Sequence, residues 1–374
     1  MRKNVITGVI LVTLSAGMAQ VGGFELQTLD TSMMYADGNQ ASISYASIDA
    51  SIEGVNTLSA ASKKQVVKDQ TVTNLAGKFD VGDSLSIGFS TFRSGAVQLS
   101  GGNGSAANLT PIADIKLETT ALLLNYQLND NLSLIGGMTN NALKDSTVQT
   151  LAGSYTIPGV TEQGYIVGAA YSVPEIALRA ELIYQPKTEL KTTANFTGAG
   201  ALNHPLINNP AAQSSVSLPD TYALSFQTGI ATDTLLMASY RRASWSKAQI
   251  TSSVVGAATL AILPAAAAAN IKTEFEDSEA FSIGLGRKFS DNVSGSITYS
   301  KEEGSSTPAT SLFTVRNGSE AISLGLQYKR DNMTISGGIS QTNAGDVTVN
   351  SAAGTMKYTG NTVTAMGLKI AFAF

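Results

Sequence analysis

The chain offers little for covalent chemistry. It has one histidine, His204, and no cysteine. A serine–histidine nucleophile needs an imidazole within hydrogen-bond reach of a hydroxyl. His204 stands in a loop stretch, where a histidine is an ordinary surface residue, so no catalytic residue is assigned and the chain is read as a non-enzyme. Without cysteine there is no disulfide, thiolate or zinc–cysteine site. No carboxylate–histidine cluster suggests a metal, and neither metal nor cofactor is expected. Gly284-Leu285-Gly286 is followed by Arg287-Lys288-Phe289, which lacks the third glycine of a dinucleotide fingerprint and lies in a strand pattern.

What remains is charge at regular spacing and apolar sequence in unusual places. Lys78, Arg179, Glu181, Arg241, Lys288, Lys329 and Lys369 all fall opposite the apolar positions of alternating segments. Bases outnumber acids among them, which favours an anionic head group. Pairing of these charges with each other and with the N-terminal tail, as for Arg179 and Glu181, is the plainer alternative. The stretch from Val254 to Pro264, followed by Ala265 to Ala269, is strongly apolar, and Phe196 to Ile207 is partly so, with Ala199, Ala201, Leu202 and Leu206. Apolar surface outside a core marks a binding or membrane-contact site. Leu260, Ile262 and Leu263 are therefore candidate ligand contacts, unless the two stretches pack on each other.

These side chains need a scaffold, and the alternation supplies it. At the C-terminus Met366, Leu368, Ile370, Phe372 and Phe374 alternate with Gly367, Lys369, Ala371 and Ala373. A period of two is a strand with two unlike faces. Similar segments begin near Ile43, Leu75, Leu85, Leu122, Leu132, Tyr165, Ile176, Tyr222, Leu236, Phe281, Val293, Ile322 and Met333. About fourteen strands result, an even number as single-chain bacterial barrels require. Charged residues are 14% of the 374, against 43% hydrophobic. Soluble domains carry about 25% charge, so much of this surface is expected to meet lipid. No apolar run after the N-terminus reaches the ~18 residues of a membrane helix. The formal charge of -4 gives no basic footprint for nucleic acid.

Six connections are tight and rich in Asn, Asp or Gly, among them Val81-Gly82-Asp83-Ser84, Asn129-Asp130-Asn131 and Arg330-Asp331-Asn332. Long polar or Gly-rich stretches alternate with them at 50–72, 93–114, 144–161, 186–218, 246–272, 301–319 and 342–361. Short periplasmic turns and long outer loops sort in this way. Residues 1–19 read as a secretory signal, with Arg2 and Lys3 before the apolar run Val5 to Leu14 and Gly17-Met18-Ala19 before a cut at Gln20. Residues 20–40 have no strand pattern and form a tail that hangs free or folds inside; residues 41–374 are the barrel. The alternation fails at Arg93-Ser94-Gly95, where Arg93 has lipid-facing parity. A charge there is costly, so the strand is expected either to bend or to have reached the interface.

The chain resembles the FadL family of outer-membrane transporters for long-chain fatty acids and other hydrophobic compounds. The resemblance runs in pieces over nearly the whole mature chain. It rests on Gly23-Phe24-Glu25-Leu26, on Ser217-Leu218-Pro219-Asp220-Thr221-Tyr222, on Ser239-Tyr240 with Ser244-Trp245-Ser246, on Phe275-Glu276-Asp277-Ser278-Glu279-Ala280, and on the terminal Phe374. It implies a fourteen-strand transmembrane antiparallel barrel with an N-terminal hatch in the lumen, here including Phe24 and Leu26. It implies ligand capture at outer loops and lateral release through a kinked third strand, which falls at Phe92-Arg93-Ser94-Gly95; Gly95 suits the kink. Arg241, Trp245 and Lys247 fall where ligand contacts lie. The family hatch is longer and carries an Asn-Pro-Ala motif that is absent from 20–40 here.

The expected partners are a hydrophobic small molecule, outer-membrane lipid and lipopolysaccharide, and the barrel assembly machinery, with no nucleic acid. The location is the outer membrane and the state a monomer. The rival readings are a general diffusion porin and a structural or adhesion barrel. Replacing Leu260, Ile262 and Leu263 together by Ser is expected to weaken binding of a labelled lipid partially, since each buried side chain contributes about 1.5–3 kcal/mol at most. Unchanged affinity in an equilibrium titration would mean that they only pack on a neighbouring loop.

Overall fold

The computed structural model describes residues 23–60, 62–101, 109–205 and 207–374. Fourteen antiparallel strands close into a barrel. They are β1 (Gln40–Ser51), β2 (Gln70–Val81), β3 (Leu85–Ser100), β4 (Ile112–Gln127), β5 (Leu132–Leu143), β6 (Val160–Val173) and β7 (Leu178–Gln185). The circuit continues through β8 (Thr221–Ala231), β9 (Thr234–Ala243), β10 (Ser278–Lys288), β11 (Val293–Glu302), β12 (Ser319–Arg330), β13 (Met333–Ala344) and β14 (Asn361–Ala373). Each strand pairs with the next, and β14 returns to β1 in an unbroken register from Gln40↔Ala373 to Ser51↔Thr362. Closure leaves no free edge, which a sheet in lipid requires because an unpaired peptide group there has no water to turn to. Among the described residues no helix is long and apolar enough to cross a membrane.

The period-two pattern puts one apolar set outside. Ile322, Leu324 and Leu326 of β12 are all more than half exposed, while Ala321, Ser323 and Gly325 line the lumen. Tyr45, Tyr126, Tyr165, Tyr171 and Tyr299 also face outward. An apolar outer wall with a polar interior is the arrangement of a transmembrane barrel.

Short turns gather at one end. Gly82, Asp233 and Asp331 take left-handed φ values of 75°, 57° and 52°, which a tight hairpin demands and these residue types tolerate. Asn129 Oδ1 accepts the N–H groups of Asn131 at 3.0 Å and Leu132 at 2.9 Å, an Asx turn.

At the other end the long connections are more ordered than their polar or Gly-rich composition suggests. Thr188–Gly198 and Asn209–Leu218 form a tall hairpin above β7 and β8, and Ser146–Gln149 pairs with Gly153–Ile157. Gly54–Asn56, Ser62–Lys63, Val347–Ser351 and Gly354–Tyr358 make a separate four-stranded sheet. Alternation persists into these hairpins, as in buried Leu190, Ala194 and Phe196 against exposed Glu189, Lys191 and Asn195. The buried core lies at this end, and it includes Tyr155, Phe196, Ile207, Trp245, Val254, Ala266 and Phe275.

Leu324→Arg places a charge near the middle of the outer wall and is expected to cost about 2–4 kcal/mol in unfolding from vesicles. Ser323→Arg, one residue along but facing the lumen, is expected to cost much less; equal losses would mean that the wall is turned the other way.

Candidate functional site

The segment 23–38 runs inside the barrel, and the lumenal charges bind it there. Arg241 of β9 donates to Glu25 at 2.6 Å. Glu181 of β7 accepts from Thr31 Oγ1 at 2.6 Å and from the Tyr35 hydroxyl. Arg179 stacks over the Tyr35 ring, 4.1 Å from its centre, and donates to Gln227 at 3.2 Å. Of the pairing with each other and with the tail expected for Arg179 and Glu181, the structure shows contacts of both with the tail, at Thr31 and Tyr35. Lys78 of β2 donates to the carbonyls of Ala36 at 2.5 Å and Gly38 at 3.2 Å, and Lys369 of β14 lies 3.6 Å from Asp30. Lys288 and Lys329 sit at the short-turn rim, where Lys288 pairs with Asp291 at 2.7 Å. Burial pushes the Glu25 carboxyl above its ordinary value despite Arg241 beside it.

Above these anchors the plug is apolar. Phe24 and Leu26 are buried, and Phe24 packs on Trp245 with ring centres 5.2 Å apart and on Phe275 at 6.2 Å. Gly23 lies against the face of Trp245, where a Cβ would come within 2.0 Å of the indole. Trp245 is fully buried, with Gly23 and Phe24 packed against it. Below the plug a cavity of about 1190 Å³ reaches from Glu25 and Arg316 down to the short turns at Asp83 and Asn131.

The junctions of β6 with β7, from Val167 to Val173, and of β2 with β3 each pair over only seven rungs, and it is the second that the tail reaches. β3 pairs with β2 only up to Thr91, which faces Leu75. The last rung is a side-chain clasp, with Thr91 Oγ1 accepting the Leu75 N–H at 3.1 Å. Beyond it, residues 70–74 of β2 continue against β1, while β3 continues against β4 to Ser100. The register of β3 on β4 slips between Arg93 and Gly95, leaving Ser94 as the extra residue of a bulge that bends the strand. A seam therefore opens between β2 and β3.

The backbone groups that β3 withdraws from β2 find partners inside. Gln27 Oε1 accepts the Arg93 N–H at 3.1 Å, Leu26 N–H donates to the Ser94 carbonyl at 3.0 Å, and Ala96 N–H donates to the Phe24 carbonyl at 2.8 Å. Higher up, Lys68 and Val66 take the Gln98 carbonyl and the Ser100 N–H. The tail acts as a substitute strand. Gly95 permits it, since a Cβ there would lie 2.4 Å from the Phe24 ring and 3.2 Å from its carbonyl oxygen.

The loop candidates are placed as follows. Leu260 is half-buried and packed on the core, Leu263 is 42% exposed, and the side chain of Ile262 lies outside the described residues, as does Leu206. Val254, Val255, Ala266 and Ala269 are buried in the same core as Phe196 and Ile207. Tyr155 links the two stretches, its ring tilted 45° to that of Phe196 with centres 4.7 Å apart and its hydroxyl donating to the Ala269 carbonyl at 2.7 Å. The two apolar loops thus pack on each other through Tyr155. Lys247 is exposed at the end of the turn Trp245–Lys247. Glu302 and Arg316, paired at 2.8 Å beside Glu25, went unnoticed in the sequence because Arg316 lies in a long connection without alternation.

No protein-family model and no curated protein sequence matches the chain. Solved structures do. A Pseudomonas aeruginosa FadL homologue superposes with a TM-score of 0.71 at 14% identity, covering 96% of this chain and 94% of that one. The Pseudomonas putida toluene transporter TodX gives 0.63 at 11% identity, covering 97% and 94%. The Ralstonia pickettii toluene transporter TbuX gives 0.62 at 14% identity, covering 96% and 93%. The chain has the fold of these FadL-type channels over nearly its whole length.

Gly95→Ala is expected to push Phe24 away from β3 and loosen the tail, seen as faster proteolysis at residues 24–30 in the folded barrel. Gly95→Phe acts on the tail as well as on the seam, so it does not isolate a lateral route. An Ala variant with wild-type protection would mean that Phe24 is not held by close approach to Gly95.

Proposed function

We propose that the chain is an outer-membrane channel of the FadL type for passive uptake of hydrophobic compounds, with long-chain fatty acids the leading cargo. Ligand collects among the outer loops, enters the lumen past the tail, and leaves sideways through the β2–β3 seam into the membrane. It works as a monomer surrounded by outer-membrane lipid and lipopolysaccharide, after insertion by the barrel assembly machinery.

The observation that carries this reading is an apolar plug combined with a gap in the wall. Phe24, Trp245 and Phe275 close the axis with apolar rings, which favours a greasy solute over water or ions. The gap lies beside an outer face of Leu75, Phe89 and Leu122, where an apolar molecule gains by moving into lipid. Channel-like neighbours support a role without catalysis. Two of the neighbours are described as toluene transporters, so an aromatic hydrocarbon is the runner-up cargo.

A planar bilayer with purified protein is expected to stay electrically silent, while proteoliposomes take up a labelled fatty acid faster than protein-free vesicles. A large steady conductance without uptake would sink the proposal in favour of a diffusion porin.

A further inference from the structure

Arg93 stands where the wall parts. Its Nη1 donates to the Thr71 carbonyl at 3.1 Å, so its side chain crosses from β3 to the part of β2 that β3 no longer pairs with. The neighbouring Glu118 is 3.8 Å from Nη2, beyond hydrogen-bond range, and lies closer to Lys144, at 2.9 Å. One carboxylate thus serves two cations. Arg93 Nε is buried and makes no hydrogen bond. A guanidinium has five donors in a fixed fork, suited to two oxygens of one anion. Here that fork is loosely balanced and incompletely bonded, in a place where an unsatisfied N–H is costly.

We propose that Arg93 is the latch of the β2–β3 seam and that an anionic head group releases it. Two oxygens of a carboxylate offer Arg93 a bidentate pairing that a single peptide carbonyl does not. On binding them the guanidinium turns from the Thr71 carbonyl, and the bond that spans the seam above the Thr91 clasp is lost. A neutral molecule of the same length has nothing to offer the fork and meets a latched seam. This rests on the lateral route proposed above, and it adds what selects the cargo on that route. The anion has two possible sources: the carboxylate of the cargo arriving from the lumen, or a lipid phosphate in the outer leaflet.

The test compares a labelled long-chain fatty acid with the fatty alcohol of the same chain. Entry rates are measured in proteoliposomes of zwitterionic lipid, for wild type, Arg93→Met and Arg93→Lys, each checked for heat-modifiable migration. Wild type is expected to pass the acid about tenfold faster than the alcohol, one hydrogen bond's worth across the seam. In Arg93→Met the alcohol should rise to the acid's rate while the acid stays unchanged. Arg93→Lys keeps the charge without the fork and should narrow the difference from the acid side, a second reading should the Met variant fail to fold. Vesicles containing phosphatidylglycerol, whose phosphate carries no attached cation as that of a zwitterionic lipid does, separate the sources: a rise in wild-type alcohol entry there assigns release to an anionic lipid phosphate, and an unchanged rate assigns it to the cargo. Equal wild-type rates for acid and alcohol, or no gain for the alcohol in Arg93→Met, would overturn the latch while leaving lateral uptake standing. Entry of neither compound through wild type would instead count against uptake itself.

Discussion

A peptide group that faces hydrocarbon without a partner loses several kcal/mol, and this single constraint governs the molecule. Most of the strand junctions, the closing one between β1 and β14 among them, meet it by ordinary pairing along their length. The junction between β2 and β3 does not. There the bulge at Ser94 carries β3 inward, and its freed groups are taken by Leu26, Phe24 and the Gln27 side chain. The seam and the tail are thus one feature: the wall opens only because something inside replaces the missing neighbour.

The lumenal charges follow from the same logic. Arg241, Glu181, Lys78 and Lys369 are excluded from the outer face by cost, and inside, where Lys78 already has Asp80 at 2.7 Å, each also has a partner on the tail. The tail brings carboxylates, hydroxyls and carbonyls to them at Glu25, Thr31, Tyr35 and Ala36. Such contacts are more exacting than apolar ones, since a buried charge tolerates little displacement of its partner. They fix where Phe24 sits under Trp245, and so where the axis is closed.

How far the sequence reveals this depends on how local each signal is. Alternation such as Ile322, Leu324, Leu326 is carried within a few residues, and the strands were legible from it. So were the hairpins, because Gly82, Asp233 and Asp331 are written in at the turns. The failure at Arg93-Ser94-Gly95 was visible too, though its cause was not, because the replacement partners lie more than sixty residues away at Phe24 to Gln27. Arg241 and Trp245 were read as ligand contacts from the family resemblance. In the fold both are occupied by the tail, by Glu25 and by Gly23 with Phe24. Nothing local announces pairings of that range. The ordered outer hairpins were partly hidden by polar composition, although Leu190, Ala194 and Phe196 keep the period.

The spacing of the tail's contacts bears on the order of assembly. Glu25 finds Arg241 across 216 positions of chain, and Thr31 finds Glu181 across 150. Asp30 waits for Lys369, which belongs to the strand that closes the ring. Contacts of such separation form late, after loop closure has been achieved by nearer ones. The segment that precedes the barrel in sequence therefore makes its full set of contacts only around a completed circle of strands. A barrel that closes in the wrong register would present Lys369 at the wrong height and leave the tail undocked. The plug thereby reports on the correctness of the wall that encloses it.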